Sequence, residues 1–161
     1  MTTKRLMAIL AALVSTSAMP EEKGIVGKYE EDGLPVIVSI VDELPATQIR
    51  NRYPWLTVVS WRYDGADRNG MPPERTNEKM LSLQWAIDES LVETDLCLHA
   101  YSRTGNNLKE LVYYVRDRDE FMSHFNTALA GHPRYPIEIN FYEDLEWKDF
   151  QQLQSRFREK H

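Results

Sequence analysis

Leu96-Cys97-Leu98-His99-Ala100-Tyr101-Ser102-Arg103-Thr104-Gly105-Asn106-Asn107-Leu108-Lys109-Glu110-Leu111-Val112-Tyr113-Tyr114-Val115 decides the fold. Two runs rich in aromatic and aliphatic residues, 96–104 and 108–115, flank Gly105-Asn106-Asn107. Glycine and asparagine tolerate the backbone of a tight turn, so the stretch reads as a β-hairpin. Helical signals lie on both sides of it. Upstream, Pro72-Pro73-Glu74 starts a helix, because proline's missing N–H is no loss in a first turn. Its apolar stripe is Met80, Leu83, Ile87 and Leu91, at helical spacing. Downstream, Asp117 caps a second helix with Glu120 three residues on; Phe121, Phe125, Ala128 and Leu129 form its buried face, and Gly131 and Pro133 end it.

Extended segments bracket these helices. Residues 56–63 carry Val58, Val59, Trp61 and Tyr63, and residues 137–142 form a last strand. From residue 56 the order is therefore β-α-β-β-α-β, a ferredoxin-like pattern within the α+β class. Right-handed crossovers would place both helices on one face of a four-stranded antiparallel sheet. An N-terminal hairpin, residues 25–30 and 34–41 about Glu31-Asp32-Gly33, is expected to extend that sheet. A closing helix marked by Phe150, Leu153 and Phe157 is expected to cover an edge or the open face.

With 161 residues there is room for one domain that buries roughly two-thirds of its surface without metal or disulfide. Its 42% hydrophobic and 27% charged residues match an ordinary globular mixture and exclude disorder. The formal charge of −6 opposes general binding to nucleic acid or anionic membranes. No nucleic-acid partner is expected; a protein or small molecule is. A single cysteine, Cys97, excludes any intramolecular disulfide, and its place in an apolar run reads as a buried small hydrophobe. A nucleophilic thiolate would need a base beside it, for which His99 is the one neighbour.

The first residues have their own logic. Lys4 and Arg5 precede a short uncharged run, 6–14, and then Ser15-Thr16-Ser17-Ala18. That is the order of an export signal cut after Ala18, and the run is far short of the roughly twenty residues that span a bilayer. The expectation is a cleaved signal, 1–18, and one periplasmic or secreted domain, 19–161, with no membrane anchor. The competing reading is a buried first helix of a cytosolic protein.

Chemical motifs are sparse. No nucleophile elbow, P-loop or dinucleotide glycine pattern occurs, so no cofactor is implied. His99, His124, His132 and His161 lack metal spacing, and Asp67-Arg68-Asn69-Gly70 imitates a calcium loop out of register. Glu143, Asp144, Glu146 and Asp149 offer carboxylates for glycoside cleavage, although acidic residues before a helix ordinarily cap it. Aromatic strand residues offer stacking surfaces where they do not serve the core. The candidate binding set is Trp61, Tyr63, Asp64, Arg103, Asn106 and Tyr113.

Glu31-Asp32-Gly33-Leu34-Pro35-Val36, Asn69-Gly70-Met71-Pro72 before residues 83–91, Arg103-Thr104-Gly105 before Tyr113-Tyr114-Val115, and Glu143-Asp144-Leu145-Glu146-Trp147 are similar, in order and spacing, to the bacterial family known as domain of unknown function 695. The resemblance covers about residues 29–157 and departs where Asn106-Asn107 replaces a more basic segment. It implies no activity, so no catalytic residue is carried over. A looser likeness, in topology alone, is to regulators that inhibit ribonuclease E. The expected function is a non-catalytic binding or interaction module. A small carboxylate-dependent hydrolase is the alternative, and a cytosolic regulator of an RNA-processing enzyme is a third, should residues 1–18 not direct export.

Overall fold

A computed structural model describes residues 24–159. The export reading of residues 1–18, and His161, lie outside the described residues. The strands are β1 (Gly24–Glu31), β2 (Leu34–Val41), β3 (Trp55–Arg62), β4 (Cys97–Gly105), β5 (Leu108–Val115) and β6 (Ile137–Glu143). The helices are α1 (Thr47–Arg50), α2 (Glu74–Ile87), α3 (Arg118–Ala128) and α4 (Lys148–Arg158). The chain is thus a mixed α+β protein with one six-stranded antiparallel sheet, ordered β1-β2-β4-β5-β3-β6. The first hairpin joins the sheet through β2–β4 pairing, which makes six strands where four form the repeat read from residue 56.

Local chemistry sets the joints. Asp32 and Gly33 both have positive φ, as do Asn106 and Asn107, the backbone that two-residue hairpin turns require. Asp117 accepts a hydrogen bond from the Glu120 N–H at 2.8 Å, capping α3. After Ile87 the α2 backbone widens into a π-helical turn, Asp88–Val92, which keeps Leu91 in the core.

Two cores result, one on each side of the sheet. On the first, Met80, Leu83 and Ile87 of α2 and Phe121 and Phe125 of α3 pack on Val59, Trp61, Leu111 and Tyr113. On the second, Trp147, Phe150 and Phe157 pack on Val36, Val38, Leu56, Val112 and Tyr114. Each fully buried side chain of this size is worth about 1.5–3 kcal/mol. The closing helix therefore covers the face opposite α2 and α3 and not an edge. Among the described residues no helix is long and apolar enough to cross a membrane.

An aromatic lock holds α4. Trp147 lies at its N-cap with a left-handed backbone, φ 57°, a conformation that L side chains adopt at a cost. It is held there by stacking on Tyr114 at 3.8 Å between centroids and by donating its indole N–H to the Tyr53 carbonyl at 3.0 Å. Asp144 does the capping instead. Its carboxylate accepts from the backbone N–H groups of Lys148 and Asp149 and from the Tyr114 hydroxyl. The Cβ of any residue at 27 would collide with the Phe157 ring, so Gly27 opens the floor under the end of α4.

Candidate functional site

Alternation along each strand decides which side chains face α4. On that side one row crosses the sheet from Arg103 in β4 to Glu110 in β5, Ser60 in β3 and Glu138 in β6. Directly opposed residues have Cβ atoms about 4.5–5.5 Å apart, so Ser60 is flanked by two carboxyl groups. α4 and Trp147 cover β2 and the Leu56, Val112 and Tyr114 ends of β3 and β5, and leave the part of the face at Ser60, Arg62 and Asn140 open. There the strands floor a groove of about 490 Å³, walled by Arg62, Glu110, Glu138, Asn140 and the exposed Tyr142. A smaller hollow of about 180 Å³ continues under the flank of α4 between Tyr29, Tyr101, Arg103, Asp149 and Arg156, and Glu110 lines both.

The electrostatics centre on Glu110. Burial, with the carboxylates of Asp149 and Glu31, pushes its carboxyl group above the usual glutamate range, against the pull of Arg103 and Arg62. Arg103 is almost fully buried and ion-paired with Glu31. Its Nε has no hydrogen-bond partner. Tyr101 donates to Asp149 at 2.7 Å; burial and that carboxylate raise the phenol far above its ordinary value, so it stays a donor.

The residues singled out from sequence fall into three groups. Trp61 and Tyr113 are core residues beneath α2 and α3, and Tyr113 donates to Asp88 at 3.4 Å. Arg103 belongs to the row just described. Tyr63, Asp64 and Asn106 sit where three turns meet: Tyr63 donates to the Gly70 carbonyl at 2.8 Å, Asp64 accepts from the Ala66 N–H, and Asn106 donates to Glu31 and Asp32. The loop 64–70 and the turn after Gly105 are joined by Asn107, which accepts from the Gly65 N–H at 2.8 Å. Trp61, Tyr63 and Asp64 also line a separate hollow near the start of α2.

Sequence reasoning passed over Ser60, Glu110, Glu138 and Asn140. Period-2 spacing on 58–62 and 108–112 would have aligned Ser60 with Glu110, given the pairing of those two strands. Of the four acidic residues near the closing helix, Asp144 is a cap and Asp149 lines the smaller hollow. Cys97 is fully buried, and burial, with Asp88 nearby, pushes its thiol well above the ordinary range, which leaves no thiolate for nucleophilic chemistry.

The family model described as "Family of unknown function (DUF695)" matches residues 26–154. The chain belongs to that family. The DUF695 match begins within β1 and ends within α4, so it spans the first core, the buried residues of the second except Phe157, and the whole Arg103–Glu138 row. No curated protein and no solved structure matches the chain.

Proposed function

We propose that this DUF695 chain is an exported, non-catalytic binding module that takes a small hydroxyl-rich ligand of the saccharide type on the open part of the α4 face. The observation that carries the reading is the row Glu110–Ser60–Glu138 on the floor of an open groove. Carboxylates and the Asn140 amide accept hydrogen bonds from hydroxyl groups, Arg62 and Ser60 donate them, and the Tyr142 ring offers a stacking surface. Strand-borne side chains hold such a set in place without prior reorganisation. The test is a titration with monosaccharides and disaccharides, followed by backbone amide shifts. Saturable shifts at Ser60, Glu110 and Asn140, weakened at least tenfold in Glu110→Ala as one charge-assisted hydrogen bond is lost, are expected. Undisturbed amides at these positions with every sugar would sink the reading.

The architecture around the groove is proposed to be a ferredoxin-like unit, β3-α2-β4-β5-α3-β6, enlarged by the β1–β2 hairpin and α4. Its support is the strand order β4-β5-β3-β6 and the packing of α2 and α3 on one face. Export is supported by the residues of 1–18 and by a family match that starts at residue 26. A mature protein whose N-terminus is Met1 or Thr2 would refute it and restore the cytosolic-regulator reading.

A hydrolase is the second reading, because Glu110 and Asp149 line the same small hollow in unlike surroundings, one carboxyl raised by burial and the other accepting from Tyr101. Such a pair suits an acid and a base. Release of nitrophenol from aryl glycosides, abolished by Glu110→Gln, would favour it over binding alone.

A further inference from the structure

Around the Arg62 end of β3, between the first turns of α2 and residues 133–136, lies a second hollow of about 410 Å³. Its walls are apolar and fixed. Trp61 and Tyr135 meet at 5.3 Å between centroids, the Tyr135 hydroxyl is 2.9 Å from His132 Nδ1, and Tyr63 is tied to Gly70. Pro73, Pro133 and Pro136 stiffen the backbone around them. The rim differs in kind from the walls. It carries Arg62, Lys79 and Arg134, none of which has an ion pair or side-chain hydrogen bond among the described residues. Arg50, Arg103, Arg116 and Arg158 are engaged, and cations elsewhere among the described residues without a side-chain partner, such as Arg68 and Arg75, do not gather at an aromatic hollow in this way. Asp64, the one carboxylate on the rim, accepts from its own turn through Ala66 N–H, and Glu78 stands only at the shallow outer extension beside His132. Two uncommitted cations, Lys79 and Arg134, flank one aromatic hollow in a chain whose formal charge is −6, and Arg62 adds a third charge shared with the Glu110 groove.

We infer that this hollow is a second binding site, for a small molecule that joins a flat apolar group to a phosphate or carboxylate. The flat group enters against Trp61, Tyr63 and Tyr135, and the anion lies between Lys79 and Arg134, with Arg62 at the outer end. Neither half alone binds well: an inorganic anion leaves the aromatic wall wet, and a neutral ring leaves the cations unpaired. The aromatic walls and Lys79 and Arg134 belong to this hollow and not to the groove at Glu110, while Arg62 and Pro136 border both.

Phenyl phosphate is the probe, titrated into the full chain with amide shifts as the readout, and with inorganic phosphate and benzyl alcohol in parallel. Saturable shifts around Trp61, Tyr63 and Arg134 are expected, with inorganic phosphate and benzyl alcohol each at least tenfold weaker. Lys79 and Arg134 are exposed, so Lys79→Gln with Arg134→Gln leaves the core intact and is expected to cost at least tenfold in affinity. Tyr142 lines the other groove and not this hollow, so Tyr142→Ala is expected to leave phenyl phosphate binding unchanged. Equal binding by the double variant, or shifts confined to other parts of the chain, would overturn the inference.

Discussion

Glu110 carries the most consequence of any single side chain. Its neighbours come from four elements: Arg103 of β4, Asp149 of α4, Glu31 of β1 and Arg62 of β3. Because its folded pKa is raised, the folded protein keeps the proton to a higher pH than the unfolded chain does. Stability therefore falls as pH climbs from the ordinary glutamate value of about 4.3 through the raised one, and the loss is complete above it. Glu110→Gln has no proton to lose, so the variant is expected to gain in melting temperature over the parent across that window and to hold the gain at neutral pH. A melting-temperature difference that stays flat from acid to neutral pH would contradict the assignment. The same neighbourhood shows why the site was only partly legible. Simple alternation from Cys97 places residues 97, 99, 101 and 103 on one face, but a bulge between His99 and Tyr101 reverses it. Cys97 and His99 face α2 and α3; Tyr101 and Arg103 face α4. No local composition announces that extra residue, so Arg103 was grouped with Tyr113 although the sheet separates them.

At the level of elements, periodicity and turn chemistry locate the strands to within a residue and find the three long helices by their apolar stripes, the first of which runs on to Leu91, past the α-helical end at Ile87. They missed what has no period. α1 is a single turn of four residues, and the π-helical turn at Asp88–Val92 differs from α-helix by a hydrogen-bond shift that leaves the apolar stripe nearly unchanged. Which face the closing helix would choose was equally hidden, since Phe150, Leu153 and Phe157 specify a stripe and not its partner. The β2–β4 seam shows a constraint that is readable only in three dimensions. Gly105 has φ 147°, and a Cβ there would lie 2.2 Å from the Pro35 carbonyl oxygen. Gly105→Ala is expected to cost about 2 kcal/mol or more, several degrees of melting temperature, because both the dihedral and the neighbouring backbone must yield. Gly131→Ala, with open space around it, is the control and should change stability by no more than about 0.5 kcal/mol. Equal melting temperatures for the two variants would remove the seam from the account.

The whole molecule is a sheet between two helical layers, and the layers are unequal in their claims on the chain. The α2–α3 layer is built from residues between β3 and β6, whereas the other depends chiefly on α4 and Trp147, with Tyr53 and Leu44 beside them, for its closure. Removing residues 147–161 takes away Trp147, Phe150 and Phe157, each worth about 3–5 kcal/mol by comparison with large-to-small core substitutions. Their sum matches the roughly 5–15 kcal/mol that holds a typical domain together. The shortened chain is expected to lose cooperative melting and to bind a hydrophobic dye; a sharp transition within a few degrees of the parent would show that α4 is an ornament of the fold. The seating of Phe157 on Gly27 also has a consequence for biogenesis. The ribosome makes the seat near the beginning and its occupant near the end, so a nascent chain carries a greasy, half-finished surface throughout synthesis. Under the export proposed above, a clasp of this kind, which fastens only after the last turn of helix has emerged, would keep the polypeptide unset while it threads through a translocation pore.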